Sequence, residues 1–174
     1  MKEKEFERLT KIKEVEKDIY NKGFKNICGI DEAGRWPLAG PVVVAGVIMP
    51  KDSMIEWVND SKKVTERRRE ILYEKIKEEA ISYSIAVIDH NIIDDINILN
   101  ATKQGVTEVV DGLDVKPDLI IVDALTHINT RGIPYEPIIK GDAKCYNIAA
   151  ASILAKVTRD RIMRQWDEIY PQYG

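Results

Sequence analysis

Asp31 closes the run NICGID, Asp123 closes LIIVD, and Asp142 follows IIKG directly before an alanine-rich stretch, with Glu32 standing beside Asp31. Sites in α/β sheets gather at the carboxyl ends of strands, so acids at strand ends are placed to meet. Like charges brought together are costly unless something positive sits among them. Mg²⁺ and Mn²⁺ prefer such hard oxygen donors and keep waters for chemistry. Each acid also has a plainer reading: Asp31 and Asp142 as helix or turn caps, Asp123 as a loop acid. Three acids at equivalent positions favour a shared cation site, although spacing alone only suggests it. Successive strand side chains point to opposite faces, so Asp31 and Glu32 serve one site only if the strand breaks there, and Gly34 and Pro37 are expected to break it.

Other chemistries find little support. His90 lies beside Asp89 and His127 in a polar loop, so no imidazole pair is displayed for acid–base attack through a 2′-hydroxyl. Ser, Cys and Lys nucleophile motifs and GxxxxGK loops are absent. Cys28 and Cys145 are far apart and lack metal-ligand spacing, which suits reduced structural thiols. Metal-assisted hydrolysis remains. The net charge of −3 and pI near 5.5 give no global nucleic-acid signal. Two local blocks are basic: Lys62, Lys63, Arg67, Arg68 and Arg69, and then Lys156, Arg159, Arg161 and Arg164. Either block is a candidate phosphate surface or a solvated helix face.

The elements that must position these residues follow from periodicity. Phe6, Leu9, Ile12, Val15 and Ile19 recur three or four apart, predicting one amphipathic helix over 2–22 ended by Gly23. Strands are expected over 26–31, 42–49, 81–89, 119–123 and 135–140. A helix over 65–80 would take Thr65 as cap and Ile71, Leu72 and Ile76 as its apolar face. Residues 92–110 hold one helix or two, and 143–170 one long helix. The order β-β-α-β-α-β-β-α implies one α/β domain with a mixed sheet covered by helices on both faces. With 174 residues, 44% of them hydrophobic, the chain is long enough for one sizeable core. Its apolar runs fall short of the about 20 residues that span a bilayer, and no signal-peptide core follows MKEKEFER, so a cytoplasmic location without membrane contact is expected.

These residues also carry a family resemblance. IDEAGRWPLAGPVV at 30–43, DSKK at 60–63, INIL at 96–99, the strand-end Asp123, and KGDAK with IAAASILAKVTRD between 140 and 160 run in the order found in ribonuclease HII, the type 2 ribonuclease H, which this chain closely resembles. The resemblance implies an RNase H-like fold, a mixed five-stranded β-sheet flanked by α-helices, over 25–174 after an N-terminal helical extension over 1–24. It implies an endonuclease cutting the RNA strand of RNA–DNA hybrids and incising at single ribonucleotides in duplex DNA, leaving 5′-phosphate and 3′-hydroxyl ends. Asp31, Glu32, Asp123 and Asp142 match the family's metal-binding acids, with Mg²⁺ or Mn²⁺ as cofactor in a two-metal scheme.

Gly34, Arg35 and Trp36 match the element that reads the ribonucleotide's 2′-hydroxyl, but Trp36 replaces a family glycine. That indole either turns outward or blocks the groove. By the same resemblance Lys62 and Lys63 face the nucleic-acid backbone, Asn97 and Asn100 are DNA-strand contacts or helix caps, and Lys144 is a substrate contact in the last motif, which it shares with Ser152, a packing residue. The chain stops where the family continues through an HKGYGT-like segment, so it is expected to be C-terminally truncated relative to that family. Expected partners are RNA–DNA hybrid and ribonucleotide-containing duplex DNA, with the chain a monomer and a replication-clamp contact left open. Two other readings compete: a catalytically impaired hybrid-binding module, and another nuclease or resolvase of the RNase H-like superfamily.

Overall fold

In the computed structural model, which describes residues 1–37 and 39–173, the β-branched runs build one sheet. Its strands are β1 (Ile27–Ala33), β2 (Val42–Ile48), β3 (Ser82–Ile88), β4 (Leu119–Asp123) and β5 (Tyr135–Ile138), in the order β3-β2-β1-β4-β5. β2 runs antiparallel to β1 and β3, while β4 runs parallel to β1 and β5. The helices are α1 (Glu3–Ile12), α2 (Glu14–Asn21), α3 (Glu66–Glu79), α4 (His90–Asp111), α5 (Gly141–Lys144) and α6 (Tyr146–Ile169). β2 is buried along its whole length, which is why VVVAGVI is continuously apolar rather than alternating.

The two faces of the sheet carry separate cores. Val43, Ala45 and Val47 pack with Leu72 and Ile76 of α3 and with Tyr146, Ala150 and Leu154 of α6. Cys28, Ile30, Val44 and Ile48 face Val106, Val109 and Val110 of α4. The alanines of α6 let its backbone lie close on β1. At Gly29 the approach is so tight that a Cβ would stand 2.3 Å from the Asn147 carbonyl carbon. Asn147 fastens this contact by donating from Nδ2 to the Ile27 carbonyl at 2.7 Å. Among the described residues, no helix is long and apolar enough to cross a membrane.

Several expected elements change in detail. The N-terminal helix is two helices broken at Lys13, and Phe6 is 56% exposed while Glu5 and Glu16 are buried. The cause is hydrogen bonding that an apolar count does not register. Glu5 accepts from Arg8 at 2.7 and 2.9 Å and from the Trp57 amide at 2.7 Å. Thr65 precedes α3 but makes no side-chain cap, and Ile71 is 53% exposed, leaving Leu72, Tyr73 and Ile76 as the buried face. For α4, where one helix or two was left open, the structure shows two segments divided at Asn97, whose φ of 66° and ψ of 163° interrupt the ladder. The expected helix over 143–170 is divided at the extended residue Cys145 into α5 and α6.

Glu16 reaches the start of α6, where amide groups lack helical partners, and accepts from the Asn147 N–H at 2.6 Å. Burial outweighs that hydrogen bond and the attraction of Lys13, raising the carboxyl from its ordinary 4.5 to about 7. A raised acid binds its proton more tightly when folded, so its stabilising contribution is full below about 4.5 and lost as pH rises through about 7. The difference is on the order of 3 kcal/mol. Urea midpoints of the wild type should therefore fall from pH 5 to pH 8 relative to those of Glu16→Gln. Parallel midpoints across that range would contradict the assignment.

Candidate active site

Parallel pairing of β1 with β4 sets Ile30 opposite Val122, so Asp31 and Asp123 come next, side by side at the carboxyl ends of neighbouring strands. Both lie on the α6 side of the sheet. β1 does not break between Asp31 and Glu32 as expected; it continues to Ala33, with Asp31 opposite Ala45 and Glu32 opposite Val44. Glu32 therefore leaves the strand on the α4 side. The two acids approach one site from opposite faces at the end of the strand. Asp31 is only 7% exposed and accepts the Glu32 amide at 2.9 Å. Burial and the charges of Glu32, Asp123 and Asp142 push its carboxyl well above the usual carboxylate range. Burial also raises Glu32, against the hydrogen bond and charge of Arg35, while Asp123 adds to the rise.

Asp142 is delivered by a turn that doubles back onto β4. The Gly141 amide donates to Asp123 Oδ1 at 2.8 Å, tying the start of α5 to the strand end. Two non-glycine residues beside the acids take left-handed backbone: Ala124 with φ 47° and Lys140 with φ 58°. Such residues cost about 1–3 kcal/mol each and persist where the surroundings over-determine them. Asp142 is raised by burial and by the charges of Asp60 and Asp123, with Lys62 opposing.

The loop after β1 carries the next group. Gly34 has φ 110°, and a Cβ there would lie 2.5 Å from the Pro41 carbonyl oxygen and 2.7 Å from Arg159 Nε. Arg35 Nη1 donates to Glu32 Oε1 at 2.9 Å, holding its guanidinium at the rim. Trp36 turns outward, 89% exposed, and helps line a hollow of about 490 Å³ with Arg35, His90, Ile93 and Trp166. Arg159, counted above with a basic block, is instead a clasp. It is 7% exposed, and it donates from Nε to the Pro41 carbonyl at 3.1 Å and from Nη2 to the Ala39 carbonyl at 2.8 Å.

Most of the other basic residues are also spoken for. Arg161 and Arg164 pair with Glu70, and Arg69 donates to the Ser61 and Val64 carbonyls. The second block is thus mainly an α3–α6 seam rather than a phosphate surface. Arg68 lies over the Trp57 ring at 4.3 Å. Lys62 and Lys144 stay exposed, and neither has an ion-pair partner within 4.0 Å among the described residues. Lys63 stands 3.8 Å from Asp60. Asn97 behaves as a cap, its Oδ1 accepting from the Asn100 amide at 3.1 Å. Ser152 packs as expected and also accepts the Ser61 amide at 3.2 Å. Sequence reasoning missed Asp60 and Arg159 as site-building residues. Asp60 carried a readable signal, since an aspartate two residues before a lysine amide suits a side-chain-capped turn.

Among the described residues, no three His, Cys, Asp or Glu side chains stand close enough to grip one ion. Glu32 is turned to Arg35, and Asp123 holds the Gly141 amide. The donor chemistry nonetheless fits a hard divalent cation: four carboxylates without sulfur or imidazole, three of them raised by burial, a cost that a cation would offset.

Residues 28–173 match the family model described as Ribonuclease HII. A Ribonuclease HII of Ruminiclostridium cellulolyticum is 52% identical over 174 residues, covering 99% of this chain and 67% of that protein. The chain thus spans about two thirds of that relative's length. Among solved structures, ribonuclease H2 from Pyrococcus horikoshii OT3 superposes with a TM-score of 0.76 at 28% identity, covering 86% of this chain and 79% of that one. The PCNA:RNase HII complex from Archaeoglobus fulgidus gives 0.69 at 30% identity, over 85% and 78%. The mixed five-stranded sheet with flanking helices is accordingly the RNase H-like fold.

The clasp generates a direct expectation. Arg159→Met keeps much of the buried stem but strands two carbonyls, so it should destabilise the protein by about 2–4 kcal/mol. It should also speed proteolytic nicking within residues 35–40 under native conditions. Unchanged urea midpoints and nicking rates would refute the clasp.

Proposed function

Since the chain belongs to the ribonuclease HII family, we propose that it hydrolyses the RNA strand of RNA–DNA hybrids. We further propose that it incises duplex DNA on the 5′ side of single ribonucleotides, leaving 5′-phosphate and 3′-hydroxyl ends, as a step in removing ribonucleotides from DNA in the cytoplasm. The observation that carries this reading is the side-by-side placement of Asp31 and Asp123, with Glu32 tying Arg35 to the same strand end.

Asp31, Glu32, Asp123 and Asp142 would hold the ions. When bound, Mg²⁺ or Mn²⁺ supplies an activated water and charge to stabilise the leaving 3′-oxygen. The chain's own groups position the substrate. Gly34 lets the loop backbone pass close to the rim, and Glu32 fixes the Arg35 guanidinium beside the acids, where it can donate to the 2′-hydroxyl that separates RNA from DNA. Lys62 and Lys144 offer phosphates ammonium groups without an ion-pair partner among the described residues, and Lys63 a loosely held one. The outward Trp36 favours a working enzyme over an impaired binding module, because Gly34 and the Arg159 clasp hold the loop's path while the indole points away.

The test is a DNA duplex carrying one ribonucleotide, incubated with Mg²⁺, Mn²⁺ or EDTA, with product ends resolved. Metal-dependent incision 5′ of the ribonucleotide is expected; tight binding without incision would refute the hydrolytic reading. Asp31→Asn and Asp123→Asn should each lower cleavage by more than about 100-fold, beyond the loss typical of an outer-shell partner. Both should keep the fold, since each removes a repelled charge and little volume. Turnover near the wild-type rate in either variant would contradict the ligand assignment.

A further inference from the structure

Asp60 is a fifth acid at this site, outside the four matched to the metal. It is buried, and its Oδ1 accepts the Lys62 amide at 3.0 Å, closing the turn that starts the short 3₁₀ segment Ser61–Lys63. The same turn is fixed from two other sides. Ser152 on α6 accepts the Ser61 amide, and Arg69 on α3 donates to the Ser61 and Val64 carbonyls. What so braced a turn presents is Lys62. Its ammonium is exposed, without an ion-pair partner within 4.0 Å among the described residues, yet its charge is felt by both Glu32 and Asp142. The charge of Asp60 itself falls on Asp142. An acid facing a phosphate-binding site would by charge alone weaken binding, so its place needs another reason.

Building on the hydrolytic reading above, we infer that Asp60 is a positioning residue: by capping the turn it holds the free Lys62 ammonium beside the carboxylates, where that ammonium takes a phosphate of the substrate strand. Asp60 acts through the backbone and does not touch substrate.

A double-mutant cycle separates this role from simple charge. Binding of the single-ribonucleotide duplex is measured in EDTA across a salt series, so no strand is cut. Lys62→Ala should weaken binding several-fold and flatten the salt slope by about one, the signature of one lost phosphate contact. Asp60→Ala should do the same, and Asp60→Ala with Lys62→Ala should lose no more than either alone. Asp60→Asn keeps the acceptor oxygen without its charge and should bind at least as tightly as wild type. Asp60→Glu keeps the charge but displaces the oxygen and should resemble the alanine variant; with Asp60→Asn, it decides the matter if Asp60→Ala fails to fold.

Binding by Asp60→Asn as weak as that of Asp60→Ala, wild-type binding by Asp60→Glu, or additive losses in the double variant would each overturn the inference. Cleavage by the same preparations in Mg²⁺ is scored separately. An uncut duplex with an intact cycle would sink the hydrolytic reading alone, whereas cutting with an additive cycle would sink this inference alone.

Discussion

Two parallel strands whose shared pairing stops at a pair of acids set the terms for the rest of this molecule. The register of β1 against β4 places Asp31 and Asp123 as neighbours on one face. Burial and repulsion then hold Asp31 well above the ordinary carboxylate range. A sheet does not adopt that arrangement for stability, because two apolar residues there would cost nothing of the kind. The surrounding structure can be read as what keeps the unfavourable cluster in place: α6 pressed onto Gly29, the Gly141 amide held by Asp123, and left-handed backbone at Ala124 and Lys140.

The long helix α6 ties these parts together. Its first turn receives Glu16 from the N-terminal arm, its second turn accepts the Ser61 amide through Ser152, and its later turns carry Arg159 to the loop behind Arg35. One rigid element thus reaches the loop that carries Arg35 and the turn that presents Lys62, while Gly141 connects its approach to Asp123. Mobility in α6 would be transmitted to each of these groups, a reason for its alanine-rich first ten residues, all of them buried.

Much of this was legible in the residues. Strand-end acids could be picked out because LIIVD and NICGID are short apolar runs closed by a charge, and the succession of strands along the chain, though not their order in the sheet, followed from β-branched runs separated by Gly and Pro. The misses share a physical cause. Glu5, Glu16 and Arg159 are charged residues whose partners lie about 50 to 130 positions away, so periodicity counts them as solvent-facing. Residues 92–110 stayed open as one helix or two because the break at Asn97 depends on one residue's backbone angles, and the continuation of β1 through Glu32 was missed because where a strand ends is not written in composition. Trp36 was undecidable from its type alone, since an indole in a glycine's place turns in or out according to the path of its loop.

On the proposed function, the carboxylates at the ends of β1 and β4 together hold a divalent cation. Calorimetric titration of Mn²⁺ into the wild-type chain and into Asp123→Asn tests it most directly. Saturable binding in the wild type that is lost or much weakened in Asp123→Asn is the predicted result. Equal binding by both chains, or none by the wild type, would contradict it.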